Sequence, residues 1–86
     1  MPNIKQQEKR VRTAARERLE NLRYRSTVKT LTRRLETAVA EGDADGVAAV
    51  HRELQQWIDR AAARGALHRN AAARKKAQAA RLASSR

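Results

Sequence analysis

Between residues 47 and 61 the apolar side chains Val47, Val50, Leu54, Trp57, Ile58 and Ala61 follow one another at steps of 3, 4, 3, 1 and 3 residues. Such steps wind onto one side of an α-helix, so the segment predicts a helix from about Ala44 to Ala63 with one buried stripe. Upstream, Val28, Leu31, Leu35, Ala38 and Val39 form another stripe by the same arithmetic. No Gly or Pro falls between Ile4 and Ala40, and good helix formers fill the interval. One first helix of roughly 35 residues, about 50 Å long, is the simplest consequence. Pro2 and Asn3 offer its start signal, and Gly42 with Asp43 offers its stop and the next start. Gly65 closes the second helix, and a third begins near His68 or Asn70 and frays at Ser84 and Ser85. The expectation is an all-α three-helix bundle in a single domain over 1–86, with helices at about 4–41, 44–63 and 68–83.

The first helix does not carry one continuous stripe. At about 100° per residue, Val11, Ala15, Leu19 and Leu22 fall something like 150° away from the Val28 stripe. One straight bundle cannot bury both. The C-terminal half is expected to pair with the second helix through a short αα-turn, while the N-terminal half overhangs or bends and needs another surface, the partner's own being a candidate. There are no internal repeats and no linker-like stretch, and only the termini read as mobile.

Charge then decides what kind of partner that is. The chain has 86 residues and a net charge of +11. Residues 1–35 hold eleven bases against three acids, residues 36–63 two against six, and residues 64–86 seven against none. Two basic arms therefore flank an acidic middle, and the partner must be strongly anionic, a phosphate polymer or an acidic membrane surface. Large apolar residues are few, so the core supplies only about 3–5 kcal/mol, and much ordering is expected to accompany binding. Cysteine is absent, which excludes disulfides and thiolate metal sites. No membrane span or signal peptide is legible, and a cytosolic protein is the default. An organelle transit peptide is argued against by Glu8, Glu17 and Glu20 and by the lack of a Ser-rich stretch.

On the overhanging half, Lys5, Lys9, Arg12, Arg16 and Arg23 project into one stripe roughly 60° wide, suited to following a phosphate backbone. The bland alternative, a solvated helix face, is weakened because few glutamates sit at i+4. In the third helix Arg69, Asn70, Arg74, Lys76 and Arg81 share an arc of roughly 160° with Ala73, Ala77 and Ala80, and small residues there let the backbone approach a sugar-phosphate chain. Leu67, Ala71, Ala79 and Leu82 lie opposite. Ala79 and Ala80 are read as helix propensity alone.

His51 and His68 lack partners at ligand spacing, so no metal site is expected. His51 is read as a surface residue of the acidic helix. His68 is open to two roles, donating to phosphate or capping a turn. Trp57 is assigned to packing, and with Tyr24 as the only other aromatic a single-strand stacking platform is not expected. The six acids of the middle block read as solvated charges and caps. No nucleophile, Gly-rich phosphate loop or enzyme signature is present.

Several segments together resemble a known family. They are Asn3-Ile4-Lys5, Lys9-Arg10, Asn21, Arg25-Ser26-Thr27-Val28-Lys29-Thr30, Gly42-Asp43, Ile58-Asp59-Arg60-Ala61-Ala62 and the block from Gly65 to Lys76, with Leu67-His68-Arg69-Asn70 and Ala72-Ala73-Arg74-Lys75-Lys76 the most specific. In this order, over nearly the whole chain, the sequence resembles the S-twenty family of bacterial small-subunit ribosomal proteins. The resemblance implies a three-helix bundle that binds 16S rRNA directly and early in assembly of the cytoplasmic 30S subunit. It places the protein as a monomer low in the subunit body, against the 5′ domain and the long penultimate helix of the 3′ minor domain. By position, Lys5, Lys9, Arg10, Asn21, Arg25, Ser26, Lys29, His68, Arg69, Asn70, Arg74, Lys75 and Lys76 are implied to face RNA. The candidate set adds Arg12, Arg16, Arg23, Thr30, Arg33 and Arg81. Ala77 stands where relatives commonly have Ser, and Trp57 and the Ala-rich tail after Gln78 are untypical.

The expected function is thus a structural RNA-binding protein without catalytic activity, cofactor, small-molecule substrate or membrane. A DNA-compacting nucleoid-type protein is the alternative, because phosphate contacts alone do not separate DNA from RNA. A membrane-surface helix is disfavoured by the mostly Ala face opposite the cations.

Overall fold

The computed structural model describes residues 4–85, so the start signal at Pro2 and Asn3 lies outside the described residues. Three helices follow in order: α1 over Ile4–Glu41, α2 over Ala44–Ala63 and α3 over Arg69–Ser84.

Both internal helix ends close in the same way. Gly42 adopts φ 69° and Gly65 φ 79°, the left-handed conformation that carries no Cβ penalty for glycine. At the first end the Gly42 N–H donates to Val39 O and the Asp43 N–H to Ala38 O, each at 3.1 Å. At the second, the Gly65 N–H donates to Ala62 O at 3.1 Å and the Ala66 N–H to Ala61 O at 2.8 Å. This paired pattern satisfies carbonyls that a helix end otherwise leaves open. Asp43 then starts α2 at once, its Oδ1 accepting from the Gly46 N–H at 3.0 Å. No spare residue separates the two helices.

Around Gly65 the space is open, with no atom within 4 Å of an added Cβ. Gly65→Ala should therefore destabilise through backbone conformation alone, by about 1–2 kcal/mol. The expected result is a melting midpoint lower by about 4–8 °C per kcal/mol, followed by far-UV circular dichroism.

The core lies at the C-terminal end of α1. Val28, Leu31, Leu35 and Ala38 meet Val47, Leu54 and Ile58 of α2, and Ala72 and Ala79 of α3 close the cluster. Contact is greatest between α1 and α2 and least between α1 and α3. Upstream the large apolar side chains of the helix stay exposed: Val11 is 69% exposed, Leu19 62% and Leu22 53%. The change of apolar phase along the sequence marks the place where α1 leaves the bundle. The radius of gyration of 17.1 Å exceeds the roughly 12 Å of a compact chain this long, and the molecule measures 62 × 20 × 13 Å.

Two sequence expectations are corrected. Ala79, read as helix propensity alone, is 2% exposed and belongs to the core, since only a small side chain lets α3 settle onto the other two helices. His51 is not a surface residue but half-buried, because it follows Val47 by four positions and precedes Leu54 by three, at the rim of the apolar stripe. Its Nε2 is enclosed without a hydrogen-bond partner. Trp57, assigned to packing, does pack against the core, from its edge. Its ring meets Tyr24 at 5.4 Å between centroids, tilted by 56°.

Candidate nucleic-acid interface

Most of the candidate cations gather in three places. The first is the overhang of α1, where Lys5, Lys9, Arg12, Arg16 and Arg23 are exposed along one side. Arg12 approaches Glu8 at 3.9 Å, an exposed pair that contributes little by itself. At its bundle end this stripe reaches a corner where Arg64 pairs with Glu20 and lies over the Tyr24 ring at 5.5 Å. Arg60 similarly lies over Trp57 at 5.7 Å. Two arginines and two aromatics thus brace the point where α1 departs.

The second place is a cleft of about 500 Å³ between α1 and α3. Arg25, Lys29 and Arg33, at successive i+4 steps on α1, line one wall, and Lys75 faces them from α3. Val28, Leu67 and Ala79 contribute apolar surface, Thr32 and Gln78 add neutral polar groups, and Glu36 is the single acid. Four cations that converge on one cleft make a site that attracts phosphate more strongly than isolated surface charges do, because their fields add. Periodicity along one helix does not reveal that Lys75 joins α1. Thr32 and Gln78, outside the sequence candidates, line the same cleft, each three residues after a candidate cation, Lys29 and Lys75.

The third place is the outer face of α3, where Arg69, Asn70, Arg74 and Arg81 are exposed. The arginine of the middle pair is steadied by its own helix, the Arg74 Nε donating to Asn70 O at 3.5 Å. Lys76 does not share this face freely: it is half-buried and its Nζ lies 2.9 Å from Asp59 Oδ1 on α2. That pair joins α3 to α2 and leaves Lys76 partly neutralised.

Of its two readings, His68 performs the capping one and leaves donation to phosphate open. As N-cap of α3 it accepts at Nδ1 from the Asn70 N–H, at 3.1 Å. A nitrogen that accepts there carries no proton, so the neutral ring bears its proton on the exposed Nε2, which is free to donate outward. On α1 the smaller candidates are partly engaged. Thr30 donates to Ser26 O at 3.0 Å and the Arg25 Nε to Asn21 O at 3.5 Å. Arg10 is exposed on the overhang, away from the Lys5 to Arg23 stripe.

Among the described residues no cluster of His, Cys, Asp or Glu has the arrangement of a metal site, and no helix is long and apolar enough to cross a membrane. The arrangement offers charge, shape and a few hydrogen-bond donors.

A family model described as Ribosomal protein S20 matches residues 2–84 of the chain. Among relatives, the small ribosomal subunit protein bS20 of Kocuria rhizophila is 43% identical over 76 residues, covering 88% of each chain. The protein of the same name from Shouchella clausii is 40% identical over 81 residues, covering 94% of this chain and 92% of its own. That of Heliobacterium modesticaldum is 41% identical over 78 residues, covering 91% and 89%.

Proposed function

The chain belongs to the Ribosomal protein S20 family, and from that premise we propose that this constituent of the small ribosomal subunit binds 16S rRNA directly and supports early subunit assembly by bridging RNA segments. The observation that carries the proposal is the division of its cations between a free-standing helix and a cleft on the bundle. One rigid rod joins two sites for phosphate, so one small body can hold two RNA segments at a fixed separation. Lys and Arg neutralise phosphates, while Asn70, Gln78 and the Nε2 of His68 supply hydrogen bonds that fix register on backbone and 2′-hydroxyl groups. The 5′ domain and the long helix of the 3′ minor domain are the proposed segments, each contacted by a single copy of the protein. No catalytic step enters, since nothing in the interface combines a nucleophile with a base.

Competition at fixed salt tests this against the DNA-compacting alternative. The protein should protect discrete regions of folded 16S rRNA in a chemical footprint, and duplex DNA should displace it only at concentrations at least about a hundredfold higher, in line with the gap between specific and non-specific binding. Displacement by DNA at equal concentration would falsify the rRNA assignment.

A further inference from the structure

We infer that the overhang of α1 lies along the minor groove of an A-form RNA duplex, with Val11, Ala15, Leu19 and Leu22 against the ribose edges. This assignment rests on the rRNA function proposed above and adds which feature of the RNA the arm takes. Wound at about 100° per residue, the four side chains form a seam about 80° wide on a helix that is otherwise polar. The three large ones are more than half exposed, although each could have been buried had the chain supplied a partner.

What lies beside the seam selects its occupant. Lys9, Arg12, Arg16 and Arg23 run along one flank and Arg18 and Arg25 along the other, each group centred about 65–90° from the seam. All six side chains are exposed. Glu8 alone interrupts the seam, and it reaches toward Arg12 on the flank. An apolar line between two cationic lines complements a surface with an uncharged floor and two anionic rims. The A-form minor groove has that form: wide and shallow, with sugars and base edges between two phosphate strands. A helix about 10–12 Å across cannot enter the roughly 6 Å minor groove of B-DNA, nor the deep, narrow major groove of RNA. A second copy of α1 would bring like charges together on both flanks.

The test uses the full chain carrying Val11→Gln with Leu19→Gln, a change that preserves charge and introduces no poorer helix former of note at exposed positions. Affinity for 16S rRNA should fall about tenfold for the loss of two buried apolar contacts. The dependence on salt and the melting curve should stay as in the parent, and a discrete set of ribose protections against hydroxyl radical should disappear. Leu19→Met should bind like the parent. If the parent binds and the double variant matches it in affinity and footprint, the groove assignment fails while the rRNA function stands. If the parent itself protects no 16S rRNA, both fail. A parent dimer in sedimentation that the double variant dissociates would assign the seam to a second copy and overturn the inference.

Discussion

Replacing Arg25, Lys29 and Lys75 together by alanine is expected to weaken binding to 16S rRNA by about a hundredfold near physiological salt, and to lower the slope of log affinity against log salt by about 2–3. These residues share the cleft between α1 and α3, where Val28, Leu67 and Ala79 exclude part of the solvent and Glu36 is the lone opposing charge. Each phosphate neutralised by one of these cations releases about one counterion condensed on the RNA. Along the overhang the cations stand at separate turns of an exposed helix, so any three of them should count for less. Filter binding over a salt series measures both quantities. An unchanged slope would mean that no phosphate enters the cleft. Lys76 makes a useful contrast, because its ammonium already faces Asp59 at 2.9 Å and its loss should alter helix packing more than salt dependence.

Leu35→Ala should have the largest effect on the free protein. Leu35 is fully buried where α1 meets α2. Truncating such a leucine costs about 2–5 kcal/mol, as much as the roughly 3–5 kcal/mol that a core of this size supplies. The expected outcome is loss of the cooperative thermal transition at room temperature, with helicity recovered when 16S rRNA is added, since a ligand that binds only the folded state draws the equilibrium toward it. Leu22→Ala, on a side chain 53% exposed, should melt like the parent. A cooperative transition near the parent's midpoint in Leu35→Ala would show that the stability of the bundle lies elsewhere.

The three-helix architecture was legible because its signals are local. Glycines at 42 and 65 interrupt long runs of helix formers, and a stripe at steps of three and four needs no knowledge of what it packs against. The departure of α1 from the bundle was legible for the same reason, as a change of phase between Leu22 and Val28. In α3 the alanines carry no such signal. Ala79 and Ala80 promote helix equally, yet 2% of the first is exposed while the second faces solvent, and only the position of the neighbouring helices distinguishes them. The interface was hidden more deeply. Lys75 shares a cleft with Lys29, Lys76 pairs with Asp59, and Trp57 touches Tyr24. Such meetings depend on how helices are rotated against one another, which composition and periodicity do not encode. His51 was misplaced because a polar residue at the rim of a stripe gives the same pattern whether its ring points outward or inward.

Asp43 ends one helix and begins the next, its N–H closing α1 and its carboxylate capping α2. Register between the two helices is therefore locked to chain length at that point. One inserted residue would rotate α2 by about 100° and swing Val47, Leu54 and Ile58 away from Leu35, whereas an insertion between Gly65 and His68 has slack to absorb it. Length variation among functional versions of this protein should accordingly gather at the second turn and the ends, leaving the first turn invariant in length even where its residues change.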